Sequence, residues 1–336
     1  MTDRAERITT FIAASGWQGA ERAFLAGDAS NRRYDRLIAA DGRSAVLMDA
    51  PPEKGEDVRP FIAIATHLAE LGLSAPKIFA SDHDAGLLLI EDLGDRLFKP
   101  VIAADPALEE TLYAAAVDVL TVLHRAEPPS GLAPYDTPLL TQYAALAYDW
   151  YAFARTGARD TAAQADFEAA FAPLMAGLSH GPQVLVQRDY HAENLLWLPD
   201  RSGVARVGLL DFQDALLGHP AYDLVSILQD ARRDVPRQIE DAMIARYLDQ
   251  NPQDPERFRA DYALLGVQRN LRIMGAFARL CLRDGKPGYV DLMPRVWEFV
   301  ERNLAHPALD SVAKIVRETL PSPTQELRDL IRSKVA

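Results

Sequence analysis

The sequence predicts an α+β chain, with its strands gathered early and helices filling most of the remainder. Three observations predict it. Residues 32–91 carry short β-rich runs separated by turn residues. Beyond Arg96 the apolar residues take helical spacing in an Ala-rich background. Residues 184–211 interrupt the helices with short apolar runs around a polar loop.

Taken in order, residues 2–15 read as an amphipathic helix with Ile8, Phe11 and Ile12 as its stripe and Gly16 closing it. Phe24 and Leu25 lead into Gly27-Asp-Ala-Ser-Asn31, a run of small and polar residues suited to a turn. Backbone N–H groups there, with the Ser30 hydroxyl, could face phosphate oxygens. Arg32 to Leu37 and Ser44 to Met48 read as a hairpin around Asp41-Gly42. Asp57 to Leu71 is a helix whose apolar face is Phe61, Ile62, Ile64, Ala65 and Leu68. Gly86 to Gly94 is a buried strand running into a glycine turn. Helices follow over Ala107 to Arg125, Leu139 to Arg155 and Thr161 to Leu178, punctuated by Pro128-Pro129 and Gly181-Pro182. His124 is expected at its helix end as a cap or surface residue. From His219-Pro220 the chain is helical again, ending in an amphipathic tail over Thr324 to Ala336.

The centre of the chain is Val184 to Asp214. Val184 to Val186, Leu195 to Trp197 and Val207 to Leu210 are apolar runs, and Pro199-Asp-Arg-Ser-Gly203 is a turn cluster. Asp189 and Asn194 therefore sit on a short loop between apolar anchors, and Asp211 stands where the next strand ends. Phosphoryl transfer needs such a set: an Asp to accept the acceptor hydroxyl's proton, and an Asn and a second Asp to hold Mg²⁺ on the phosphates. Asp189-x-x-x-x-Asn194 followed by Asp211-Phe212 has the protein-kinase spacing.

Arg188-Asp-Tyr-His-Ala-Glu-Asn194 with Leu210-Asp-Phe-Gln-Asp-Ala215 resembles the aminoglycoside phosphotransferase-like kinases, a branch of the protein-kinase-like fold. Within them, Gly27-Asp-Ala-Ser-Asn-Arg-Arg-Tyr34, Leu47-Met-Asp-Ala-Pro-Pro52 and Tyr222-Asp-Leu-Val-Ser226 resemble the anomeric kinases for N-acetylmuramate and N-acetylglucosamine of bacterial cell-wall recycling. The likeness spans residues 20 to 300 or so. It implies a bilobal molecule. Residues 1–92 would form an antiparallel-sheet nucleotide lobe ending in a hinge, and 93–336 a mostly helical lobe with the catalytic loop and sugar site.

The resemblance also implies roles. Asp189 is the expected base, with Asn194 and Asp211 on Mg²⁺. ATP would meet Ser30 and Asn31 at its phosphates and the main chain of Glu91 and Leu93 at its adenine. The protein-kinase pattern places a Lys on the third strand, where this chain has Val46-Leu-Met-Asp49. Arg33 and Lys54 are the candidate replacement cations, and Glu70 is badly placed for the usual Lys partner. The pattern also has a His two residues before the base, where Gln187 stands. Arg188 and His191 flank the base as possible substrate contacts. Asp214 is a second metal carboxylate, a substrate contact or a turn residue. Asp223 resembles the residue that braces the catalytic loop. Gln229, Asp230, Arg232 and Arg233 are expected on a helix nearby, where Arg233 could bind the carboxylate of N-acetylmuramate.

Composition bounds these readings. A net charge of −12 argues against a nucleic-acid partner, which needs a basic footprint. One cysteine, Cys281, forms no internal disulfide and suits a reducing compartment. No apolar run approaches a membrane span and the start shows no signal peptide, so the expected location is cytoplasmic. Two alternatives keep the fold and change the role: a kinase of an aminoglycoside, choline or another alcohol, or a nucleotide-binding pseudokinase.

Overall fold

The structure is a computed structural model that describes residues 3–27, 31–178 and 181–334. In chain order the first elements are α1 (Arg4–Ala14), β1 (Glu21–Gly27), β2 (Arg33–Ile38), β3 (Ser44–Asp49), α2 (Arg59–Glu70), β4 (Ile78–Asp82) and β5 (Leu87–Glu91). Then come α3 (Phe98–Ala104), α4 (Glu109–Arg125), α5 (Thr137–Leu146), α6 (Phe153–Thr156) and α7 (Thr161–Leu178). The central strands are β6 (Val184–Val186), β7 (Leu195–Trp197), β8 (Val207–Leu209) and β9 (Leu216–Gly218). Helices complete the chain: α8 (Ala221–Leu228), α9 (Arg237–Gln250), α10 (Pro255–Leu282), α11 (Met293–Leu304), α12 (Asp310–Thr319) and α13 (Gln325–Ser333). Among the described residues, no helix is long and apolar enough to cross a membrane.

Two compact units result: Met1–Leu123 with Glu193–Ala215, and His124–Ala192 with Leu216–Ala336. The first holds an antiparallel five-stranded sheet in the order β1-β2-β3-β5-β4. The hairpin expected around Asp41-Gly42 is its β2–β3 pair, with Ile38 opposite Ser44. Ile8 and Trp17 pack with Leu37, Leu47, Leu87 and Leu89 into one apolar cluster. Gly86, at φ 64°, lets the chain return beside the end of β3, where its carbonyl accepts from Ala50 N–H at 2.9 Å. A Cβ at Gly86 would lie 2.0 Å from the Ala50 carbonyl oxygen, so no other residue fits.

The second unit is built around α10, whose middle is buried. Gly266 and Gly275 allow close helix packing. A Cβ would fall 2.4 Å from Asn303 Nδ2 at the first and 2.3 Å from the Leu146 backbone at the second. A buried polar cluster locks the end of α8: Gln229 donates to Glu240 and Asn303, and accepts from Asn270 and Asn303.

Several elements depart from expectation. β1 is a strand exposed along its whole length, so it carries no burial alternation to reveal it. β4 and β9 are likewise strands that the local pattern did not disclose. The single helix expected over Leu139 to Arg155 is interrupted by a π-helical turn at Ala147–Ala152. Gln229 to Arg233 are not helical. Asp230 accepts from Arg232 N–H at 2.8 Å, a local turn that competes with continuing α8.

Candidate active site

The loop bearing Asp189 leaves the buried strand β6, which pairs with β9 in the second unit. Its shape is imposed by α8. The Asp223 carboxylate accepts from the Gln187 N–H at 2.6 Å and the Arg188 N–H at 2.9 Å, and Ser226 Oγ donates to the Arg188 carbonyl at 3.1 Å. Asp223 and Ser226 lie three residues apart on one helix face. Arg188 has φ 72°, a conformation costing a non-glycine residue about 1–3 kcal/mol, and these three bonds over-determine it. Asp223 is fully buried, and burial lifts its carboxyl to about 7 against the pull of the two N–H groups. The bracing expected of Asp223 is thus seen in its bonds. Gln187, which stands where the pattern has His, has no partner for its Nε2 among the described residues, and it is its main-chain N–H that meets Asp223.

Asp189 is half-buried. Burial pushes its carboxyl up, but the charges of Arg272, Arg269, His191 and Arg188 outweigh burial and hold it below the ordinary range. His191 is buried, and that burial pushes its pKa down. Arg269 is 4% exposed, and its Nε and Nη1 find no hydrogen-bond partner among the described residues. Arg272 donates through Nη1 to the Tyr222 hydroxyl at 3.0 Å and lies over the Tyr143 ring, 5.4 Å from its centroid. Tyr135 donates in turn to the Tyr222 hydroxyl at 3.1 Å.

Asn194 and Asp211 belong to the first unit. β7 and β8 pair so that Leu195 faces Leu209, and Leu210 N–H donates to the Asn194 carbonyl at 3.0 Å. This brings Asn194 Nδ2 within 3.3 Å of Asp211 Oδ2, while Gln213 Nε2 donates to Asp211 Oδ1 at 2.7 Å. Asp211 sits at φ 58°, a conformation Asp tolerates better than most residues. Phe212 is fully buried and packs on Phe61 of α2, with ring centroids 4.9 Å apart, which anchors the turn. An amide oxygen and a carboxylate so joined fit Mg²⁺, which takes one or two protein oxygens and completes its shell with water and phosphate.

The expected nucleotide residues fall in the first unit. Ser30 lies outside the described residues. Asn31 is exposed, with its N–H on Glu56 Oε1 at 2.9 Å. Arg33 is 54% exposed and engaged by Asp35 at 2.9 Å and by the Phe24 ring at 5.1 Å. Its neighbour Arg32 is the better-buried cation, 3.6 Å from Glu56. The Glu91 side chain pairs with Arg201 at 2.7 Å, and its N–H donates to the Lys77 carbonyl at 2.8 Å. Leu93 packs against the Gly208 region. The segment after β5 is held by Arg36, which reaches Asp92 at 2.7 Å and Asp95 at 2.8 Å.

Of the remaining expected residues, Asp214 is exposed and 3.5 Å from Gln213 Nε2, in the first unit with Asp211. Arg233 is half-buried on the turn after α8, its N–H on the Asp230 carbonyl at 3.3 Å. Sequence reasoning missed Arg36, Gln213, Arg269 and Arg272. The only signal for the last two was a pair of arginines three apart on one helix, which is ordinarily a solvated face.

Residues 21–260 match the phosphotransferase enzyme family. The chain is 42% identical to an N-acetylmuramate/N-acetylglucosamine kinase of Caulobacter vibrioides, over 92% of this chain and 94% of that one. It is 35% identical to the enzyme of the same name from Pseudomonas putida, over 87% and 86%. In fold it resembles the choline kinase LicA from Streptococcus pneumoniae, with a TM-score of 0.59 at 16% identity over 93% of this chain and 100% of that one. The chain has the protein-kinase-like fold and belongs to the phosphotransferase enzyme family.

Proposed function

We propose that this protein is an ATP- and Mg²⁺-dependent kinase that phosphorylates the anomeric hydroxyl of N-acetylmuramate and N-acetylglucosamine. The names of the relatives at 32–42% identity support the two sugars. The observation that carries the choice of acceptor is the cluster of Arg188, Arg269 and Arg272 whose charges act on Asp189. A positive field at the base suits a neutral or anionic acceptor and opposes an aminoglycoside or choline, both cations.

In this mechanism Asp189 orients the sugar hydroxyl and takes its proton as the oxygen bonds to the γ-phosphorus, the bond from that phosphorus to the β,γ-bridging oxygen breaks and ADP leaves. Its depressed proton affinity keeps the carboxylate ionised and ready to accept. Asp223 and Ser226 hold the loop so that Asp189 needs no reorganisation. Asn194 and Asp211 would hold Mg²⁺, with Gln213 orienting Asp211, and the ion would supply charge neutralisation at the phosphates. Asn31, with Ser30 as the sequence pattern implies, would meet the phosphates, and Arg33, released from Asp35, would supply the cation that the third strand lacks. Main-chain groups of Glu91 and Leu93 take the adenine.

Residues 1–92 act as the nucleotide lobe, ending in the hinge, and residues 93–336 as the lobe that presents the sugar. Arg188, His191, Asp214 and Arg233 line the acceptor side. The products, sugar 1-phosphates, would feed nucleotide-sugar synthesis in peptidoglycan recycling in the cytoplasm. A coupled ADP-release assay tests the reading, with N-acetylmuramate, N-acetylglucosamine, kanamycin and choline side by side. Turnover on the two amino sugars, lost by about 10²-fold or more in Asp189→Ala, is the expected result. Turnover on kanamycin or choline alone would overturn it.

A further inference from the structure

Arg269 and Arg272 lie three residues apart on α10, on one face of the helix. Both stand in the second unit with Asp189, whereas Asn194 and Asp211 stand in the first. The two arginines therefore share a unit with the base.

Arg188, Arg269 and Arg272 all act on Asp189, and Arg269 acts on His191 as well. Arg269 is buried, with Nε and Nη1 unmatched among the described residues. A guanidinium placed this way is costly unless an anion answers it.

Arg272 has the geometry to present that charge. Tyr222 fixes one corner of its guanidinium through Nη1, and the Tyr143 ring lies under its plane. Tyr135 and Tyr222 are themselves hydrogen-bonded, so the clamp is rigid. Among the described residues the Tyr222 hydroxyl is the one hydrogen-bond acceptor this guanidinium meets. The rest of the planar fork is free to take a carboxylate through two parallel N–H groups.

We propose that Arg272, backed by Arg269, is the anion anchor of the acceptor site and selects a sugar that carries a carboxylate. The inference rests on the functional reading above and deepens it: of the two sugars, only N-acetylmuramate carries an acid. It moves the expected carboxylate contact from Arg233 on its turn to Arg272 on a buried helix.

The test compares N-acetylmuramate with its methyl ester, which keeps shape and removes charge, in the wild-type enzyme and in Arg272→Gln and Arg272→Lys. Wild type should prefer the acid by about 10- to 100-fold in kcat/KM, the scale of a charge-assisted hydrogen-bonded pair. Arg272→Gln should bring acid and ester together, whatever its effect on kcat, and Arg272→Lys should restore part of the preference. Equal use of acid and ester by wild type would overturn the anchor, and that arm needs no variant to fold. A variant that raises the KM for ATP and leaves the acid preference intact would also overturn it, assigning the charge to the phosphoryl donor. Absence of turnover on both, with none on N-acetylglucosamine, would sink the functional reading itself, a pattern distinct from acid–ester parity.

Discussion

Asp223 accepts the Arg188 main-chain N–H at 2.9 Å and so holds Arg188 in the left-handed conformation that precedes Asp189. An Asn at 223 keeps the shape but presents an N–H to one of two N–H groups. Asp223→Asn should therefore loosen the loop and lower kcat by about 10- to 100-fold, with the KM for sugar less affected. Steady-state kinetics on folded variant check this. A kcat equal to wild type would mean that the strain at Arg188 is held without Asp223.

The metal pair carries a second prediction. Gln213 donates to Asp211 Oδ1 at 2.7 Å while Asn194 donates to Oδ2. Asp211→Asn removes the charge that holds Mg²⁺ and should cost most of the activity. Gln213→Ala only frees the carboxylate to rotate, and should raise the Mg²⁺ concentration needed for half-maximal rate by about tenfold. Titrating Mg²⁺ at saturating ATP separates the two. An unchanged Mg²⁺ requirement in Gln213→Ala would argue that Phe212, buried on Phe61, orients the turn alone.

Arg36 supplies a third. Its guanidinium spans Asp92 and Asp95 just past β5, and Asp92 is the shielded partner at 7% exposure against 71% for Asp95. The exposed half of the clamp contributes little because water screens it. Arg36→Ala should raise the KM for ATP by about three- to tenfold while leaving the KM for sugar alone. An effect on sugar and not on ATP would detach this segment from the nucleotide.

The legibility of the chain followed the locality of its physics. The runs flanking Asp189, Asn194 and Asp211 were readable because β-branched apolar triplets and a Pro-Asp-Arg-Ser-Gly turn declare themselves within a few residues. β1 was hidden because all its residues are exposed, so neither face carries a pattern. Arg269 and Arg272 were hidden for another reason. Their partners are Tyr143, Tyr222 and Asp189, 50 to 129 residues away, and only folding brings α5, α8 and the loop to α10. Asp230 was misjudged because its own side chain ends the helix that apolar spacing would have continued.

His124 gives the last prediction, and reverses an expectation. It stands in the last turn of α4, yet is no surface cap: its Nδ1 meets the Tyr247 hydroxyl at 2.9 Å and its ring is edge-on to Tyr247. Burial, with the nearby His219, pushes its pKa down to about 3 from the ordinary 6.5. Between those values the unfolded chain binds a proton that the folded chain refuses. Stability must therefore fall as pH drops through 6.5 and go on falling toward 3, by up to about 1.4 kcal/mol per pH unit. His124→Gln keeps a polar group for Tyr247 and cannot titrate. Its unfolding midpoint should fall less than that of the wild type between pH 7 and pH 5, although it starts lower. Parallel losses in the two proteins over that range would show that the imidazole is protonated as readily in the fold as in water.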